Sequence, residues 1–337
     1  MLGLGLTLVP LVMAWKLAET AGHFYALGFL LGIAGASFAV ALPLASRWYP
    51  PQHQGLVMGI AGAGTSGSLV ATLFAPRLAE RFGWANTFGL MILPVVMVAI
   101  LFALLAKDSP RRSAPPAWRD YSAVLRESDT FWFAFLYGLT FGGFVGLTSF
   151  LTTFFHEQYQ VSRVGAGDFT TVVVIAGSLL RPIGGWLSDR IGGYRLLLVL
   201  LVAIAGCFVV VATLPALPVV VATLFLGMGL LGMGTGAVFQ LVPQRFGERL
   251  GIVTGVVGAA GGLGGFCLPS VLGIAKDATG SYAPGLLCFA AACFVGSATL
   301  LHLGSRWMVR WQPPAVQQSG IFCYRGVVRR LLGAETA

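Results

Sequence analysis

The stretch TTVVVIAGSLLRPIGGWLSDRIGG (Thr170–Gly193) reads as a membrane-spanning helix with a cation inside it. Arg181 lies about eleven residues into the run, and no Asp or Glu stands between Asp168 and Asp189. A guanidinium at that depth costs about 2.5–3.5 kcal/mol on insertion scales. All 12 acidic residues of the chain fall in loops, tails or span ends. The charge therefore needs a companion other than a carboxylate. A mobile anion is one candidate. Backbone carbonyls are the other, because Pro182 has no N–H and frees a carbonyl in the preceding turn.

The rest of the chain sets this helix among others like it. Of 337 residues, 57% are hydrophobic and 10% charged, and the mean hydropathy is +0.84. Soluble domains carry about 25% charged residues, so a soluble fold is excluded. Ten apolar runs approach or reach the ~20 residues that cross a bilayer. They are Met1–Leu17, Tyr25–Ser46, Gly55–Ala75, Asn86–Ala106, Phe131–Phe154, Phe169–Ser188, Arg195–Leu214, Val219–Leu241, Gly251–Ala275 and Pro284–Gly304. The first has no basic leader and reads as a span rather than a signal peptide. The expected fold is an all-α membrane bundle.

The net charge of +9 does not indicate nucleic acid. Loops after even-numbered spans, together with the tail, hold 15 of the 21 Lys and Arg. That bias puts those loops and the C-terminus in the cytoplasm. The five cysteines lack metal-ligand spacing and the four histidines lie near span ends, so neither set suggests a metal or relay. No nucleophile–base or carboxylate pair lies at membrane depth, which argues against an enzyme.

The longest connection, residues 107–130, is rich in charge, Pro and Ser, and reads as a cytoplasmic linker with a short amphipathic helix around Tyr121–Arg126. It separates four spans (1–106) from six (131–311), with a basic tail at 312–337. Across it, RWYPPQHQGLVMGIAGAG (Arg47–Gly64) echoes RFGERLGIVTGVVGAAG (Arg245–Gly261). The echo pairs span three with span nine, an offset of six. A symmetric parent would have twelve helices, and the first two are expected to be missing here. Parallel repeats of six are a transporter architecture with a site between the halves.

GAGTSG (Gly62–Gly67) formally matches a dinucleotide loop, but it lies inside an apolar span with no strand before it. Glycines at this density let membrane helices approach closely. GGWLSDRIGG (Gly184–Gly193) resembles the cytoplasmic loop signature of the major facilitator superfamily, which implies a gating role for Gly185, Asp189, Arg190 and Gly192. GIAGAGTSG and GVVGAAGGLGGF resemble the paired signatures of the nitrate/nitrite porter family, as do GIAGASFAVALPLASRWYPPQHQG, FLYGLTFGGFVGLTSFLTTFF and SLLRPIGGWLSDRIGG. The family's first signature usually has Asn where this chain has Thr65.

The resemblance implies a two-half facilitator bundle that carries nitrate or nitrite by alternating access, with no cofactor. It places Arg181 at the anion-contacting arginine. Tyr137 is implied as a donor, with Phe141 and Phe38 as flat walls. Gly64, Gly262 and Gly264 are implied as points of close backbone approach, and Thr65 as an auxiliary donor. Nitrate is planar with three acceptor oxygens, and a planar guanidinium fork matches two of them. Tyr137 and Phe141, four apart, share one helix face. The expected partners are the anion and the bilayer, in a monomer at the plasma membrane. A carrier of small organic carboxylates, or a membrane protein that no longer transports, are the competing readings.

Overall fold

A computed structural model describes residues 2–35, 44–45, 48–49, 53–106 and 118–321. All of the regular secondary structure among these residues is helical. Helices α1 (Leu2–Lys16) and α2 (Ala21–Gly35) are followed by α3 (Gln54–Gly62), a 3-10 turn (Ala63–Ser66) and α4 (Gly67–Phe82), which together make one span. Next come α5 (Trp84–Leu105), α6 (Trp118–Arg126), α7 (Ser128–Tyr137), a π-helical turn (Gly138–Gly142) and α8 (Gly143–Tyr159). The chain continues through α9 (Arg163–Ile191), α10 (Gly193–Ala212), α11 (Leu217–Phe246), α12 (Leu250–Thr279), α13 (Ala283–Arg310) and the short α14 (Pro313–Ser319).

Among the described residues, eight helical stretches are long and apolar enough to cross a membrane, and two shorter apolar helices precede them. The first two expected spans coincide with apolar helices of the described chain. α1 stops at Lys16, and α2 begins at Ala21, four residues before the expected Tyr25, and runs to Gly35 where the described segment ends. The expected linker helix is present as α6, which buries its own Val124.

α9 is the hub. Its N-terminus is capped by Ser162, whose hydroxyl accepts from the Gly165 N–H at 3.1 Å. Its main partner is α11, and it also packs along α3 and α4. Glycines make the α9–α11 crossing possible: a Cβ on Gly236 would lie 2.6 Å from the Gly185 nitrogen and 2.8 Å from the Arg181 carbonyl oxygen. α12 packs on α7, the π turn and α8, while α1, α2 and α5 form a small separate apolar cluster around Ala14, Ala18 and Leu27.

At the end of the bundle where α7 begins, Asp129 is 2% exposed and gathers three helices. It accepts from Arg245 Nε (2.5 Å), Trp307 Nε1 (2.9 Å) and Trp311 Nε1 (3.3 Å). A buried carboxylate with this many donors is stable only as a complete set, and removing one partner of such a pair typically costs about 3–5 kcal/mol. The start of the basic tail packs against the bundle. α14 docks under α9, α10 and α11, with Arg195 Nε donating to the Gly320 carbonyl at 3.0 Å. The basic residues Arg325, Arg329 and Arg330 lie outside the described residues.

Candidate functional site

Arg181 is 2% exposed and is one of the largest fully buried side chains in the protein. Three elements enclose it. A helical side chain leans toward the N-terminus of its own helix, so the guanidinium lies beside the turn preceding Arg181. On one side is α3: an added Cβ on Gly62 would overlap Nε, Cζ and Nη2 of Arg181. With the guanidinium in this position, only a residue without a side chain fits. One turn away, Gly59 is equally tight, with an added Cβ 2.9 Å from Pro182 Cα and 3.0 Å from the Arg181 carbonyl oxygen.

On the other side are the aromatic residues of α7 and the π turn. Arg181 Nη2 donates to Tyr137 Oη at 3.3 Å, and its Cζ lies 5.2 Å from the Phe141 ring centroid. Tyr137 and Phe141 stack with centroids 4.9 Å apart at 10°. Phe239 of α11 meets Tyr137 edge-on at 4.7 Å. Phe141 sits within the Gly138–Gly142 π turn, a type of irregularity that recurs at functional sites.

The same α3/α4–α9 seam closes both ends of the site. Toward the α9 C-terminus, Asp189 Oδ2 accepts the Leu56 N–H at 2.9 Å, a carboxylate on the positive end of α3. Arg190 lies 4.0 Å over the Trp186 ring. Gly192 has φ +91°, and a Cβ there would strike Gly320 and Ser319, so the turn into α10 requires glycine. Toward the α9 N-terminus, Arg77 Nη2 and the Asp168 carboxylate pair at 2.7 Å, and the Thr72 and Thr171 hydroxyls share a hydrogen bond at 2.9 Å.

The structure thus brings Arg181, Tyr137 and Phe141 together. It sets other expected residues aside. Gly64 and Gly262 are exposed, with open space where a Cβ would go. Gly264 is tight, but against the Gly138 carbonyl rather than the guanidinium. The Thr65 hydroxyl is turned onto the Gly62 carbonyl at 3.0 Å. Phe38 lies outside the described residues. The residues missed by sequence reasoning are Gly59, Gly62, Gly261 and Phe239. Gly261 backs the aromatic pair, with an added Cβ 2.7 Å from both rings. The three-residue spacing of Gly59 and Gly62, which puts both on one helix face, was the available signal.

A buried guanidinium walled by aromatic rings and helix backbone inside a bundle of membrane-length helices defines a facilitator-type membrane transporter. Comparison with known proteins gives the same class. Residues 1–269 match the Major Facilitator Superfamily. The probable nitrate/nitrite transporter NarK2 of Mycobacterium tuberculosis (strain ATCC 25618 / H37Rv) is 36% identical over 300 residues, covering 86% of this chain and 76% of that one. The nitrite extrusion protein of Bacillus subtilis (strain 168) is 30% identical over 297 residues, covering 88% and 74%. The crystal structure of the human organic anion transporter MFSD10 (TETRAN) superposes with a TM-score of 0.71 at 16% identity, covering 89% and 75%. The chain belongs to the major facilitator superfamily, within its nitrate/nitrite porter family. It is a multi-pass membrane protein of a transporter family, not of an enzyme family.

Proposed function

We propose that the chain carries nitrate or nitrite, or both, across the plasma membrane by alternating access, with Arg181 as the anion clamp. The observation that carries this reading is the buried guanidinium held between the bare backbone of Gly62 and the Tyr137–Phe141 stack. The names of the relatives support the choice of anion. A planar fork of N–H donors presents two parallel hydrogen bonds to a flat oxyanion. The low local dielectric strengthens them. Tyr137 accepts from Arg181, which leaves its own O–H to donate. Phe141 lies parallel to Tyr137 and gives the anion a flat boundary.

The two ends of the α3/α4–α9 seam supply reversible closures. The Arg77–Asp168 pair is about 40% exposed at each side chain, and such pairs contribute only ~0–1 kcal/mol. The Asp189 contact to the α3 N-terminus is of similar size, about 0.3–1 kcal/mol. Neither is strong enough to hold one conformation permanently. In this reading residues 1–106 and 131–311 rock about the site, joined by 107–130, with the C-terminus in the cytoplasm.

Counterflow of labelled nitrate and nitrite in proteoliposomes, with formate as the competing arm, tests the assignment. Arg181→Lys removes the planar fork while keeping the charge. It is expected to lose at least about tenfold in apparent affinity for both anions, the scale of one charged hydrogen bond. Unchanged affinity ends the clamp, and formate uptake without nitrate or nitrite uptake ends the choice of anion.

A further inference from the structure

We propose that the Ser178 hydroxyl donates to the nitrate oxygen that the Arg181 fork leaves free, and so sets a preference for nitrate over nitrite. The inference rests on the clamp reading above and names a specificity residue within the same site.

Four Ser and Thr residues lie on α9. Three are satisfied within their own helix: Thr170 donates to the Ala166 carbonyl, Thr171 to Gly167 and Ser188 to Gly185, at 2.7–2.8 Å. That back-bonding is the ordinary outcome for a hydroxyl at membrane depth. Ser178 departs from it. It is fully buried, and its Oγ has no hydrogen-bond partner among the described residues. A buried hydroxyl left unpaired is destabilising, so an acceptor brought by a ligand is favoured at this point.

Its position is set by the helix register. α9 meets α3 and α4 through Gly167, Thr171, Pro182 and Asp189. Ser178 falls on the same seam, seven residues after Thr171 and four before Pro182. The antiparallel pairing sets the Gly59 backbone against Pro182 Cα and the Arg181 carbonyl oxygen, and Gly167 against the Thr72 carbonyl. Three to four residues along each helix from the first contact, Ser178 stands level with Gly62 and Ala63, and Gly62 is the residue that the guanidinium meets. The nearby Thr65 has committed its hydroxyl to the Gly62 carbonyl, so the donor at this level is Ser178. It is one turn before Arg181, on the side toward which the guanidinium leans.

Nitrate has three oxygens and nitrite two. With the fork on two of them, only nitrate has an oxygen left for a further donor. Ser178→Ala is therefore expected to weaken nitrate about tenfold, the value of one hydrogen bond to a charged group, and to leave nitrite nearly unchanged. Thermal stability should hold or rise, because an unpartnered hydroxyl is removed. Ser178→Thr, which keeps the donor, should retain the preference.

The experiment measures inhibition constants of both anions for counterflow in proteoliposomes of the full chain, beside thermal melting. Nitrate weakened alone, with the preference kept in Ser178→Thr, supports the proposal. Equal weakening of both anions, no weakening, or a parent protein without nitrate preference overturns it. Arg181→Lys run in parallel separates the two claims. If it loses both anions while Ser178→Ala matches the parent, only the serine assignment falls. If Arg181→Lys keeps both, the clamp itself falls.

Discussion

The two glycine-rich stretches GIAGAG (Gly59–Gly64) and GAAGGLGG (Gly258–Gly265) look interchangeable in the sequence and do different work in the fold. In the first, Gly62 makes room for a side chain, the Arg181 guanidinium. In the second, Gly264 makes room for backbone, since an added Cβ would overlap the Gly138 carbonyl oxygen and lie 3.0 Å from its carbon. A long side chain can swing away from an intruding methyl group, whereas a helix backbone cannot. The same Gly→Ala change should therefore register as lost function at one stretch and as lost stability at the other.

The largest effect is expected at Gly264. In Gly264→Ala, α12 and the π turn must separate, and overpacking of this kind costs about 1–3 kcal/mol. Thermal melting of the purified protein should fall and the yield with it, and an unchanged melting curve would refute the backbone contact. Gly62→Ala should melt close to the parent protein while its anion affinity drops roughly ten- to hundredfold, as the displaced guanidinium loses charged hydrogen bonds worth about 1.5–3 kcal/mol. If melting falls and affinity does not, the two stretches have been assigned the wrong way round. Tyr137→Phe tests the aromatic wall that Gly261 backs. It keeps the 4.9 Å stack with Phe141 but removes the hydroxyl that meets Arg181 at 3.3 Å. An affinity loss of about tenfold is expected, with little change in melting.

The sequence was informative wherever length and composition decide the outcome. Apolar runs of bilayer length gave eight of the membrane helices, and the four-residue spacing of Tyr137 and Phe141 put both on one helix face, where the two rings stack. It was uninformative wherever helix rotation decides. Within GIAGAG, Gly62 and Gly64 differ by two positions, about 200° around a helix, and only the packing of α3 on α9 fixes which one faces the arginine. The motif resemblance pointed at Gly64, which faces outward. The same rotation hid Gly59 and Gly261. The first apolar run, Met1–Leu17, matches α1 (Leu2–Lys16) to within one residue at each end.

Gly64 and Gly262 provide the control that makes the comparison strict. Each belongs to a signature-like stretch, each is exposed, and neither has an atom within 4 Å of where a Cβ would be built. If the value of these stretches lay in glycine content as such, through flexibility of the whole segment, then Gly64→Ala and Gly262→Ala would impair transport about as much as Gly62→Ala. If it lies in single close contacts, both substitutions leave affinity within about twofold of the parent and raise stability slightly, because alanine is favoured over glycine in helices by up to ~1 kcal/mol. Counterflow rates and melting curves of these two variants beside Gly62→Ala decide between the two accounts. An affinity loss at Gly64 equal to that at Gly62 would mean that α3 turns a different face to the anion during transport than the one now packed on Arg181.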